Sequence, residues 1–191
     1  MALHVLNCAV ERLAEWHAHL YVEPCIVAFV AVAKQYSTSP ALFDVECANI
    51  ASRWLGNSSK CRLRVSWHED TAEKATRLRA TMQASSLVEL AAVALALILG
   101  HRVIPLGKLL VTDRGGRADY RTRKRKAVLE VSGTETVAEL GRRHREKVAQ
   151  ARGNPFGWGA YVIVCAFSSE GHRIRFTHHP VEESQRGEGK D

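Results

Sequence analysis

The spacing of apolar and polar residues indicates which elements form in the first third of the chain. From Val5 to Leu20, apolar residues recur at helical spacing and predict a helix. Pro24 ends that pattern, and the β-branched run from Ile26 to Val32 predicts a strand. Phe43 to Leu55 is interpreted as a second helix, and the alternation from Arg62 to Trp67 predicts another strand.

The period changes again after residue 70. Helices are predicted from Thr71 to Arg79 and from Ser85 or Ser86 to Gly100, because hydroxyl residues favour helix starts and glycine favours helix ends. Val137 to Arg152 carries one apolar helical stripe. Six further stretches predict short strands: His101 to Leu106, Lys108 to Thr112, Arg117 to Thr122, Ala127 to Val131, Ala160 to Phe167 and Arg173 to Thr177.

These elements predict an α/β fold of the α+β kind, in which a central mixed sheet is flanked by helices. We divide the chain into an N-terminal extension of helix and strands (residues 1–68), a core (69–181) and a polar tail (182–191) that is expected to be disordered. A chain of 191 residues, of which 46% are hydrophobic, is long enough to bury such a core.

Charge and cysteine content narrow the class of protein. The formal net charge of +7 favours polyanionic partners, although solubility explains a basic chain equally well. The five cysteines are scattered without CxxC spacing, so they predict neither a zinc site nor a disulfide framework, but small buried residues in a reducing compartment. The segment from Met1 to Trp16 lacks a signal-like apolar region, and the apolar runs fall short of the roughly 20 residues that a membrane helix needs. We therefore expect a cytoplasmic protein without membrane contact.

Three carboxylates stand out as candidate chemistry. Asp119 lies in the predicted strand from Arg117 to Thr122, Glu130 ends an apolar stretch, and Glu89 lies in a helix where Ala92 and Val93 offer little solvation. Acids brought together in a folded interior repel one another and lose hydration, so a divalent cation is the expected compensation. Two simpler explanations remain open: a first-turn acid favoured by the helix dipole for Glu89, and a surface ion pair for Asp119.

From residue 71 onward, the order is a helix with an acid, two strands, a strand with Asp, a strand with Glu-x-Ser, a helix and a strand. This order resembles the core of the PD-(D/E)XK superfamily, the restriction-endonuclease-like nucleases. The resemblance covers residues 71–177 and implies that Glu89, Asp119 and Glu130 hold Mg²⁺ or Mn²⁺. The function it implies is metal-dependent hydrolysis of phosphodiester bonds in DNA or RNA.

One motif position departs from that family. Ser132 stands where the motif has lysine, and a hydroxyl cannot assist the attacking water through charge. Some members of the superfamily supply the lysine from the following helix, so Lys147 is the candidate substitute, with Gln150 one turn further along. The alternative is that Lys147 is an ordinary solvated residue.

Basic residues concentrate around the acids and predict contacts with a phosphate backbone, while a solvated basic face is the simpler alternative. The candidate nucleic-acid-binding residues are Arg114, Arg117, Arg121, Arg123, Lys124, Arg125, Lys126 and Arg143. His178 and His179 are adjacent on a predicted strand and so point to opposite faces, which argues against a shared metal. Trp158 is interpreted as a core residue.

Three functions are compatible with these observations. The first is a nuclease, or a subunit of a nucleic-acid-processing or defence complex. The second is an inactive protein of the same fold that binds nucleic acid or a protein partner, and the third is a small basic adaptor that docks on an acidic protein. A homo-oligomer is compatible with each of them.

Overall fold

The protein is described by a computed structural model that covers residues 4–52, 55, 58–112, 119–122 and 124–181. In these ranges it is a mixed α/β protein with an eight-stranded sheet packed against helices. The strands are β1 (His4–Ala9), β2 (Ala41–Ala48), β3 (Lys60–Ser66), β4 (Leu109–Val111), β5 (Tyr120–Thr122), β6 (Ala127–Thr134), β7 (Gly159–Ala166) and β8 (His172–His179). The helices are α1 (Arg12–Trp16), α2 (Glu23–Ala33), α3 (Glu69–Arg79), α4 (Ala84–Arg102) and α5 (Leu140–Arg152).

The strand order in the sheet is β1-β3-β2-β8-β7-β6-β5-β4. Strands β4, β5 and β6 are antiparallel neighbours, whereas β6 and β7 are parallel and are connected through α5. Strand β2 lies parallel to β8, so the strands of residues 4–66 extend the same sheet as the later ones. The N-terminal third is thus structurally continuous with the rest of the described chain.

The two faces of the sheet are covered unequally. On one face, α4 packs on β6, α2 packs on α4, and α3 packs on α2, which encloses the larger core around Phe29, Phe43 and Leu95. On the other face, α5 packs on β6 and β7, where Val128 and Val162 are buried. Along β2, buried and exposed residues alternate strictly, because its second face is open.

Helix α4 is apolar on nearly all sides. By length and composition it is able to cross a membrane. In the fold, however, the residues from Ala94 to Gly100 are all buried, and α4 contacts α2 and β6. This burial is what an internal helix of a folded domain shows.

Four of the predicted elements are wrong, each for a recognisable reason. The predicted helix from Val5 to Leu20 is strand β1 followed by the short α1, since His4–Ala9 pairs with β3. The β-branched run from Ile26 to Val32 lies in α2, because a short run that is apolar on every side does not distinguish a buried helix from a buried strand. Phe43 to Leu55 begins as β2 with two-residue periodicity. His101 to Leu106 is the end of α4 and a loop, in which the Leu106 N–H donates to the Gly100 carbonyl.

The remaining predicted elements are confirmed as to type, with shifted ends. Arg62 to Trp67 is β3, the two predicted helices after residue 70 are α3 and α4, and Val137 to Arg152 is α5. All five cysteines are free and buried, as predicted. Trp158 is only half-buried and lies 5.1 Å from Phe156 between ring centroids. The predicted disordered tail, residues 182–191, lies outside the described residues.

Candidate active site

The candidate site lies where β5 stops pairing with β6. Strand β5 pairs only with Ala127 to Leu129, while β6 continues to Thr134 along β7 on its other side. Beyond Leu129, two carboxylates accept hydrogen bonds from β6 on the side where β5 no longer pairs with it. The Val131 N–H donates to Asp119 Oδ2 at 2.7 Å, and the Gly133 N–H donates to Glu89 Oε2 at 3.0 Å. Because these two N–H groups are two residues apart on a strand, the acids are held about 6.6 Å from each other along it.

Glu89 is fixed by a close approach of α4 to β6. A Cβ atom on Gly133 would lie 2.4 Å from the Val88 carbonyl oxygen, so the two backbones touch at a point that admits only glycine. The Ser132 hydroxyl donates to Glu89 Oε1 at 3.1 Å. The Glu89 side chain is nevertheless 49% exposed, so the predicted poor solvation of this acid is wrong. Its apolar neighbours cover the other sides of the helix.

Glu130 is the buried acid of the site. Its side chain is 0% exposed on the α5 side of β6, and its Oε2 accepts a hydrogen bond from Lys147 Nζ at 2.9 Å. Burial, and then the charge of Asp119, raise the pKa of Glu130 to about 7, against the lowering effect of Lys147. Its Oε1 is buried without a hydrogen-bond partner among the described residues.

Helix α5 presents three polar side chains to this edge of the sheet. Lys147 Nζ donates to both Glu130 and Gln150 Oε1, the second at 3.2 Å. Burial works to lower the pKa of Lys147, but the hydrogen bond to Glu130 and the charges of Asp119 and Glu89 raise it above its usual value. One turn earlier, Arg143 Nη1 lies 4.0 Å from Glu89 Oε1. The side chain predicted to replace the motif lysine therefore reaches the acids.

The other predicted nucleic-acid-binding residues are placed in part. Lys124, Arg125 and Lys126 are exposed in the turn before β6. The Arg121 guanidinium lies over the Phe156 ring, 5.4 Å from its centroid, and is half-buried. Arg114, Arg117 and Arg123 lie outside the described residues.

The three acids line one edge without meeting at a point. Within the described ranges, no three side chains of histidine, cysteine, aspartate or glutamate lie close enough together to hold one metal ion. Carboxylate oxygens are nevertheless the ligands that Mg²⁺ prefers. The buried and unpartnered Glu130 Oε1, beside a second acid, is an oxygen that a cation would satisfy. The carboxylates therefore suit a divalent cation by their chemistry but are not brought to one point in the described residues, and a metal role for Glu89, Asp119 and Glu130 stays a prediction.

A second polar cluster lies under α5, and its contacts were missed from the sequence. The Thr177 hydroxyl lies 2.8 Å from His144 Nε2 and 2.8 Å from His179 Nε2. His178 instead stacks on Tyr161 on the other face, with ring centroids 4.4 Å apart. The two adjacent histidines therefore do point to opposite faces. The sequence did carry a signal for this cluster, because Thr177 and His179 are two residues apart on one strand and so point to the same face of the sheet.

Comparison with known proteins does not assign this site to a family. No protein-family model, no curated protein and no solved structure matches the chain. The positions of the side chains therefore have to carry any functional conclusion.

Proposed function

We propose that the protein is a metal-dependent nuclease with a restriction-endonuclease-like core. The order of elements from α4 to β7 supports this proposal: a helix with Glu89, three antiparallel strands with Asp119 directly before the second and Glu130 in the third, a helix with Lys147, and a strand parallel to β6. The resemblance to the PD-(D/E)XK superfamily rests on the same order with one further predicted strand, His101 to Leu106, which is instead the end of α4 and a loop.

The observation that carries the proposal is the contact between Lys147 and the buried Glu130 beside Asp119. A lysine at this place supplies the positive charge that Ser132 cannot. Directed at a phosphoryl oxygen, such a charge stabilises the negative charge that develops during hydrolysis, and a half-buried site strengthens the effect. The lysine of the site would thus come from α5, while Ser132 holds Glu89 in position.

The acids would supply the metal ligands of this arrangement. Glu130 and the neighbouring Asp119 would offer carboxylate oxygens to Mg²⁺ or Mn²⁺, and Glu89 would join them only through a movement of its exposed side chain, since no three acids meet within the described residues. The metal would supply a polarised phosphoryl group and an acidified water. In its ionised form, Glu130 orients the Lys147 ammonium through their hydrogen bond. The Arg143 guanidinium, next to Glu89, is positioned to contact a substrate phosphate. Asp119 and Glu89 also secure the free edge of β6.

The test is a substrate screen. Purified protein is incubated with plasmid DNA, single-stranded DNA and RNA in the presence of Mg²⁺, Mn²⁺ or EDTA. We expect cleavage of at least one substrate with metal and none in EDTA. Glu130→Gln should abolish cleavage, whereas Glu146→Gln, a matched change on the exposed side of α5, should preserve it. Equal cleavage by both variants would show that the activity comes from elsewhere.

One observation favours a second candidate, a non-catalytic protein of the same fold that binds nucleic acid or a protein. All three acids already have hydrogen-bond donors from the protein itself: Val131 for Asp119, Ser132 and Gly133 for Glu89, and Lys147 for Glu130. Such a site is stable without a cation. Binding of DNA or RNA by wild-type protein with no cleavage under any metal condition would favour this candidate.

A further inference from the structure

The sheet face that α5 leaves uncovered carries surplus positive charge. Directly opposed residues on neighbouring strands share a face. On this face, Glu46 of β2 lies between Lys60 of β3 and Arg175 of β8, and Asp44 lies in the same way between two arginines. Five bases and two acids occupy these three strands: Lys60, Arg62, Arg64, Arg173 and Arg175, with Asp44 and Glu46.

Only part of this charge is paired. Arg62 Nη2 lies 2.9 Å from Asp44 Oδ1, and Arg175 Nη2 lies 3.3 Å from Glu46 Oε2. Three exposed side chains form no ion pair with any described acid: Lys60, Arg64 and Arg173. This face therefore carries three cations without a paired acid.

These strands and α5 enclose a groove. A cavity of about 470 Å³ lies between the first turn of α5 and the three strands. Its charged lining residues are the bases Lys60, Arg173 and Arg175 and the acids Asp44 and Glu46, so the bases are in excess. At its margin, Nη1 atoms of Arg145 and Arg175 lie 3.7 and 3.9 Å from the position that a Cβ on Gly141 would occupy. Two guanidinium groups therefore approach the same position next to a residue without a side chain, and Arg175 also pairs with Glu46. An anionic oxygen between them could accept hydrogen bonds from both.

His144, a buried residue of α5, lies near the same positive charges. Burial, and then the positive charges of Arg175, His179 and Arg145, lower the pKa of His144 to about 4. His144 is thus neutral near pH 7 and adds no charge to the groove. The groove's positive potential comes from exposed lysine and arginine side chains, which stay charged across the ordinary pH range.

We propose that this groove, which Lys60, Arg173 and Arg175 line and Arg145 flanks, binds the phosphate backbone of the nucleic acid whose cleavage site lies on the other side of α5. This inference rests on the proposed function, since it takes the same substrate as ligand. Lys147 and Arg143 face the acids from one side of α5, and Gly141 and Arg145 face the groove from the other. The helix separating them is about 10 Å wide. This width equals the rise of about three phosphates of one strand along the axis of a duplex.

The test measures binding apart from cleavage. Fluorescence anisotropy in EDTA gives the Kd of labelled duplex and single-stranded oligonucleotides over a salt series, for wild type and for Lys60→Glu/Arg173→Glu. Both residues are exposed and form no ion pair with a described acid, so the folded state should survive, which thermal unfolding checks. We expect the Kd to rise about tenfold or more, and the salt dependence to weaken by about two phosphate contacts.

Lys34→Glu/Arg79→Glu is the matched control, because it reverses the same charges on exposed residues at the ends of α2 and α3, away from the groove. An equal rise in Kd for both double variants would overturn the proposal. An unchanged Kd for Lys60→Glu/Arg173→Glu would also overturn it. The same assay is run with polyglutamate, an acidic polypeptide. If Lys60→Glu/Arg173→Glu loses polyglutamate binding while its oligonucleotide binding is unchanged, the proposal is overturned and the face is assigned to an acidic protein. Wild-type protein that binds through the groove but never cleaves would overturn only the proposed function.

Discussion

Lys147 Nζ lies 2.9 Å from Oε2 of Glu130, although the two residues belong to α5 and β6 and Glu130 is completely buried. A buried carboxylate without a partner is strongly destabilising, whereas a paired one costs much less. The pair also stands beside Asp119, whose charge helps to raise the pKa of Glu130. This contact therefore links the stability of the site to its proposed chemistry.

The raised pKa of Glu130 makes stability depend on pH in the absence of metal. The folded carboxyl group keeps its proton to about pH 7, whereas the unfolded one releases it near its ordinary value of 4.5. The folded state therefore binds more protons in this window, and the contribution of Glu130 to the free energy of unfolding falls as pH rises.

In EDTA, we expect Glu130→Gln to become more stable relative to wild type between pH 5 and pH 8, by on the order of 3 kcal/mol. Urea unfolding at each pH measures the difference. A difference that is independent of pH would show that Glu130 ionises normally in the folded protein.

Lys147 is expected to act through its charge. Lys147→Met should slow single-turnover cleavage by about 100-fold, the scale of losing one charge directed at the transition state. Arg142→Met is the control, because Arg142 lies on the exposed side of the same helix and pairs with Glu139 and Glu146. Comparable rates for the two variants would remove Lys147 from the mechanism.

Ser132 is expected to position Glu89 rather than to react. Ser132→Ala removes one hydrogen bond, worth about 1 kcal/mol, and leaves the Gly133 N–H to hold the carboxylate. We expect cleavage within about tenfold of wild type, on that same free-energy scale. Ser132→Lys should not raise the rate, because Lys147 already supplies the ammonium group. A clear gain in the lysine variant would show instead that the site lacks its lysine.

Gly133 is expected to tolerate no side chain. In Gly133→Ala, the new Cβ would meet the Val88 carbonyl oxygen at 2.4 Å, so α4 has to move away from β6. We expect a loss of about 3 kcal/mol in the free energy of unfolding, at the upper end for overpacking. Gly141→Ala is the control, since its Cβ would meet no heavy atom closer than 3.7 Å and alanine favours helices. Thermal unfolding that ranks the two variants equally would contradict the close contact.

The sequence predicted the second half of the chain better than the first. From α3 to β8, most elements show a clear period, and this local signal suffices for their type. The predicted hydroxyl caps do not mark the helix starts, since α3 begins after His68 and α4 after Gln83 without a side-chain cap. In the first third, α2 is buried on nearly every side and β1 depends on its pairing with β3, which no local pattern reveals. Glu89 and Glu130 were found because they stand in or at the end of apolar stretches, and Asp119 because it lies eleven residues before Glu130 on a predicted neighbouring strand.

Other features of the site could not be read from the sequence. The exposure of Glu89 depends on how α4 crosses the end of β6, which is set by the contact at Gly133. The hydrogen bonds of Asp119 and Glu89 depend on where β5 ends, and so on tertiary pairing. Lys147 was identified from the resemblance, because some members of the superfamily supply the lysine from the following helix, and from its position beside a helical stripe. Its contact with Glu130 is seen only in the fold.

The most direct test of the proposed function is the single-turnover rate at which labelled oligonucleotide is cut in Mg²⁺ by wild type, Asp119→Asn and Glu130→Gln. We expect each substitution to slow cleavage by about 100-fold or more while the protein stays folded, because each removes a charge from the site. Cleavage by either folded variant at the wild-type rate would contradict a catalytic role for this cluster of acids.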